Sequence, residues 1–166
     1  MTMKAWRLDR LGGHLRLENV PMPEVRPGSV LVRVEASTLM SYIKPYVEGR
    51  LPPYHAPSGG FTPGGNCVGT IETAGKDVWQ LAPGQRVLVS SLFRSSENVA
   101  DPAQILIGVT SFMYPASAYR SVLALVRSGA LEISTINPKV FPLTELAAAM
   151  DAAASAGSLE CVVMKP

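Results

Sequence analysis

Residues 61–91 read FTPGGNCVGTIETAGKDVWQLAPGQRVLVSS, and their pattern decides the fold. A glycine-rich turn leads into a strand at 66–73, a loop at 74–82, a tight turn at Pro83-Gly84 and a second strand at 85–90. The first strand is β-branched and apolar but holds Gly69, which predicts a bend or a close approach of backbones. Pro83 presets φ for the turn, and Gly84 can take the positive φ that follows.

Outward from this stretch the same grammar repeats. Residues 3–9 and 14–20 read as strands joined at Leu11-Gly12-Gly13. Pro21-Met22-Pro23 ends the second, because proline cannot donate to a ladder. After Pro27-Gly28, residues 29–36 alternate Val30, Val32 and Val34 with Leu31, Arg33 and Glu35, the period of a half-buried strand. Residues 37–49 follow, and the proline-dense 50–60 carries Tyr54 and His55. Beyond Ser91, Asp101-Pro102 has a helix-start signature. Residues 116–128 form an amphipathic helix with Tyr119, Val122, Leu123 and Val126 on one face and Gly129 as its stop. Residues 131–141 read as extended and broken at Asn137-Pro138. An alanine-rich helix then runs to Gly157, packed closely on a neighbour, and 159–164 is a closing strand. The class is mainly β with helices, α+β.

Length and composition set the frame. The 166 residues support one domain, and a hydrophobic fraction of 47% with 17% charged describes a well-buried globular chain. The net charge of +2 is scattered, so there is no nucleic-acid footprint. No run of apolar residues is long enough to span a bilayer, and the opening MTMKAWRLDR has no apolar signal core. Cys67 and Cys161 lie among apolar neighbours without a Cys-x-x-Cys spacing, which predicts buried thiols in a reducing cytoplasm.

The pattern G-x-x-x-x-G-x-[IV]-E-x-x-G, followed by P-G-x-R-V, resembles the medium-chain dehydrogenase/reductase superfamily. Gly64, Gly69, Glu72, Gly75, Val78, Gly84, Arg86 and Val87 fall where that family's residues fall, and Gln85 stands where aspartate is usual. Upstream, P-x-x-R-P-G-x-V-L-V-R-V-x-A resembles the same family. The resemblance implies the catalytic, GroES-like β-barrel, completed by C-terminal helices and a closing strand; Trp79, flanked by polar residues, is expected to cover the barrel end beneath the hairpin.

It also implies a site. Zinc-dependent members place a ligand cysteine where this chain has Met40, and their Gly-His-Glu aligns with Gly64-Gly65-Asn66. A thioether, a glycine and an amide cannot supply thiolate, imidazole and carboxylate ligands, so no metal is expected. The zinc-free, quinone-reductase-like branch shows S-L-N-x-x-D where this chain has Thr38-Leu39-Met40-Ser41-Tyr42-Ile43. Tyr42 and Ser41 are the nearby hydroxyls able to orient or protonate a carbonyl oxygen, and are the candidate catalytic residues. Met40, Tyr54, Asn66 and Phe93 are the candidate substrate-binding residues. His55 is read as a solvent-exposed loop residue.

A complete member would continue into a nucleotide-binding domain marked by G-x-G-x-x-G, and no glycine cluster here has that spacing. Residues 1–108 match the barrel and 111–166 the family's C-terminal segment. The chain therefore reads as one GroES-like domain from which a Rossmann domain has been excised near 109–111, by deliberate deletion or natural truncation. The resemblance implies a zinc-free NAD(P)H-dependent oxidoreductase acting on a carbonyl, enone or quinone. No cofactor binding and no independent dehydrogenase activity are expected of the chain alone. The alternative is a stand-alone barrel module or minimal scaffold that binds a small ligand. Expected partners are a small-molecule substrate and a second copy, held as a dimer through surface the missing domain would cover, with no nucleic acid and no membrane.

Overall fold

A computed structural model describes residues 1–51, 59–89 and 118–166 of the chain. Tyr54, His55, Phe93, the Asp101-Pro102 helix start and the junction at 109–111 lie outside the described residues. The elements run β1 (Thr2–Arg7), β2 (Arg16–Pro21), β3 (Val30–Leu39), α1 (Ile43–Val47), β4 (Cys67–Ala74), β5 (Arg86–Val89), α2 (Ala118–Arg127), β6 (Asn137–Pro142), α3 (Leu146–Ala154) and β7 (Glu160–Lys165).

β1 and β2 form an antiparallel hairpin, as the glycine turn between them predicts. The other strands make one sheet in the order β5-β4-β3-β7-β6, antiparallel except for the β6–β7 pair. The β4–β5 hairpin closes at Pro83-Gly84, where Gly84 takes φ 85° and its N–H donates to the Ile71 carbonyl at 2.9 Å. At Gly69 a side chain would run into the Arg33 carbonyl and lie 2.7 Å from Val32 Cγ1, so close strand packing requires glycine there.

Two apolar clusters anchor the fold. Leu8, Ile43, Tyr46, Val47 and Phe61 form one; Leu146, Ala149, Ala153, Val162 and Met164 form the other. Leu15, Leu39 and Met150 border both and join them. Fully burying a side chain such as Val162 contributes about 1.5–3 kcal/mol. The alanines of α3 do pack closely: Ala149 and Ala153 are buried against the sheet.

Several expectations need correction. The β3 alternation is interrupted by register shifts between Leu31 and Val32 and between Val34 and Ala36, which leave Val34 exposed. Trp79 does not cover the barrel; it is 85% exposed, while its neighbour Val78 is half-buried. The loop turns at Asp77, at φ 67°, two residues before the indole. Asn137-Pro138 does not break a strand but begins β6, because an edge strand tolerates the missing donor. Cys67 and Cys161 are free but only half-buried. Helix α2 forms, yet Val122, Leu123 and Leu125 are exposed. Among the described residues, no helix is long and apolar enough to cross a membrane.

Candidate active site

The register of β3 with β4 brings the described candidates to one end of the sheet. Ser37 pairs with Cys67, so Asn66 lies beside Thr38. The Asn66 carbonyl accepts from the Thr38 N–H at 3.2 Å and from the Ser37 hydroxyl at 3.1 Å. Two residues further on, β3 gives way to Met40-Ser41-Tyr42, and the Met40 carbonyl accepts from the Ile43 N–H at 3.0 Å, opening α1. Met40, Ser41, Tyr42 and Asn66 thus belong to one corner, with Met40 and Ser41 exposed and Tyr42 and Asn66 half-buried. The corner also contains the hydroxyls of Ser37 and Thr38, which the sequence reading did not count.

α1 is held from behind. Ile43, Tyr46 and Val47 are buried, and the Tyr46 ring meets Phe61 edge-on with centroids 6.4 Å apart. Burial pushes the Tyr46 phenol up, so it stays protonated and serves packing. Phe61 is pinned by paired backbone hydrogen bonds with Leu8, at 2.8 and 3.0 Å. Lys44 bridges to Asp151 and ties α1 to α3. Tyr46 was not singled out as core because α1 is too short to display a helical period.

Burial also raises the Cys67 thiol, beside Asn66, which works against thiolate formation. At the positions where the family's zinc ligands fall, the side chains are a thioether, a hydrogen and an amide. No group of three His, Cys, Asp or Glu able to hold a metal occurs among the described residues. These residues do not fit zinc. Nor does the sequence offer a G-x-G-x-x-G turn to hold a dinucleotide.

The family glutamate and arginine have structural work. Glu35, at the second register shift, accepts from Thr70 Oγ1 at 2.6 Å and from Arg86 Nε at 2.9 Å, and these contacts, the Thr70 hydroxyl foremost, hold its carboxyl below the usual range. Glu72 pairs with Arg33 at 3.5 Å. These pairs line the outer face of β3, β4 and β5 and are exposed enough to contribute little to stability.

Residues 26–128 match the family model for the alcohol dehydrogenase GroES-like domain. The chain belongs to this family. A thermostable alcohol dehydrogenase from Pyrobaculum aerophilum is similar with a TM-score of 0.69 at 12% identity over all of each chain, a likeness of fold. The mitochondrial reticulon-4-interacting protein 1 of Caenorhabditis elegans is 30% identical over 100 residues, which is 52% of this chain and 27% of that protein. A zinc-binding dehydrogenase from Sinorhizobium meliloti, solved with NADP, is 34% identical over 52% of this chain and 24% of its own, with a TM-score of 0.46. The chain thus spans about a quarter of the curated relative's length. As a GroES-like alcohol dehydrogenase domain, it is of the catalytic type, mainly strands with few helices.

Proposed function

We propose that this GroES-like domain is the substrate-binding part of a zinc-independent NAD(P)H oxidoreductase acting on a carbonyl, enone or quinone. The observation that carries the reading is the end of β3, where Ser37 and Thr38 hold the Asn66 carbonyl just before Met40-Ser41-Tyr42, with no zinc ligand at the three family positions. Tyr42 or Ser41 holds the substrate oxygen and supplies its proton, while Met40 and Asn66 line the site. A nicotinamide would supply hydride, and the sequence has no G-x-G-x-x-G turn to cradle its phosphates. The domain is therefore inactive alone, and it works in the reducing cytoplasm, consistent with two free cysteines.

Calorimetric titration of NADPH and NADH into the 166-residue protein tests this. The expected result is no saturable binding of either; micromolar binding would overturn the assignment of inactivity. Backbone amide shifts of Gly65 and Asn66 on adding a simple ketone would support the substrate corner, and their absence would sink it.

A second reading, self-association, is favoured by the run of exposed apolar residues from α2 to β6: Val122, Leu123, Leu125, Leu131, Ile133 and Ile136. Sedimentation should give a dimer that Leu123→Asp dissociates. A parent protein that stays monomeric at high concentration would exclude it.

A further inference from the structure

Strand β6 reads Asn137, Pro138, Lys139, Val140, Phe141, Pro142, and pairs in parallel with β7 from Asn137↔Glu160 to Pro142↔Lys165. Among the described strands it ends the five-stranded sheet, with β7 on one side only. One hydrogen bond fixes which backbone groups face β7: the Asn137 N–H donates to the Leu159 carbonyl at 2.8 Å. Backbone groups alternate sides along a strand. Lys139 and Phe141 therefore also turn theirs toward β7, and Pro138, Val140 and Pro142 turn theirs away.

The outward set is nearly without donors. Proline has no N–H, so Val140 supplies the single donor among these three positions. A strand added at this edge, parallel or antiparallel, needs a donor at every second residue. At two of the three positions its carbonyl would go unanswered. This holds for a strand from the same chain as much as for one from another molecule.

The prolines stand where they take no bond from β6 itself. Moved by one residue, either would remove a donor to β7, whereas in place both spare that ladder. Between them Val140 is exposed and β-branched, and Phe141 is half-buried against the α3 cluster. An edge strand of this composition with free donors is a template for pairing. Lys139, bridged to Glu160 at 2.9 Å, adds a charge to the same strand.

We propose that Pro138 and Pro142 seal the β6 edge, so that a second copy of this chain cannot extend the sheet there. Any self-association then runs through side-chain surface rather than through a continued ladder.

The test uses the whole 166-residue protein in a Leu123→Asp background, so that contact through α2 is not read as pairing at β6. Into it go Pro138→Thr, Pro142→Thr or both, with sedimentation velocity reporting size and thermal melts reporting folding. The double variant should self-associate as concentration rises, the affinity growing roughly fivefold for each hydrogen bond restored. Its Val140 amide should become protected from hydrogen exchange. Adding Val140→Pro to the double variant should return it to the size of the background protein, because an outward proline again interrupts the edge. If Pro142→Thr, beside the turn at Leu143–Glu145, prevents folding, Pro138→Thr alone restores two successive outward donors and decides the matter. A folded double variant that keeps the background size would overturn the proposal, since the edge would then be closed by something other than missing donors. Association that persists with Val140→Pro would overturn it as well, by showing that strand pairing does not hold the copies together. Loss of folding in Pro138→Thr would make that proline structural, with the same consequence.

Discussion

The indole N–H of Trp6, on the first strand, donates to the Leu143 carbonyl at 2.6 Å, joining residues 137 positions apart. Trp6 also packs beside the cluster formed by α3 and β7, so one side chain fastens the N-terminal hairpin to the C-terminal segment. Trp6→Phe keeps most of the ring but leaves that carbonyl without its donor. The expected loss is about 0.5–1.5 kcal/mol, read as a lower urea midpoint at unchanged slope. An unchanged midpoint would mean the contact is not stabilising.

Gly69 gives a sharper result. Gly69→Ala puts a methyl group against the Arg33 carbonyl and Val32, where only strand separation can relieve it. A cost of about 1–3 kcal/mol is expected, as for overpacking. Equal thermal stability of Gly69→Ala and the parent would contradict the close approach of β3 and β4.

Helix α3 offers a matched pair. Ala149 is fully buried against the sheet, whereas Ala148 is exposed. Ala149→Leu should destabilise by roughly 1–3 kcal/mol and Ala148→Leu by less than about 0.5 kcal/mol. Chemical denaturation of both variants checks this, and similar effects at the two sites would displace α3 from the sheet.

Acid stability depends on carboxylates held below their ordinary range. Glu35 is lowered by Thr70 and Arg86, and Glu160 by the Gly157 N–H and Lys139. A depressed folded-state value contributes stability that is present above the ordinary glutamate value of 4.5 and is lost as pH falls through the folded value. Melting temperature should therefore decline below about pH 4.5. Glu35→Gln should flatten part of that decline. An unaltered acid limb in this variant would remove Glu35 from the account.

The sequence made the strands and their turns legible because each is signalled locally. Pro83-Gly84 and Leu11-Gly12-Gly13 fix hairpins within a few residues, and Ala149 and Ala153 mark the close face of α3. What was misread depends on partners far along the chain. The shifts in β3 arise only when β4 is laid beside it, and no pattern within 29–36 encodes them. Trp79 was assigned a covering role beneath the hairpin, but it stands 85% exposed, two residues past the positive φ at Asp77. Of the site, the β3–β4 register places Asn66 beside Thr38, two residues before Met40-Ser41-Tyr42.

β7 is the final element in chain order, yet it lies inside the sheet between β3 and β6, pairing Val162, Val163 and Met164 with Leu39, Thr38 and Ser37. During synthesis, β3 must therefore wait, with that flank open, until residues 160–165 have emerged. Closing so long a loop is entropically slow, and the nascent chain shows an unpaired strand edge throughout the delay. An edge of β3 left open between the translation of Leu39 and Met164 invites aggregation, and a chaperone that shields β3 over that interval should raise the yield of folded protein.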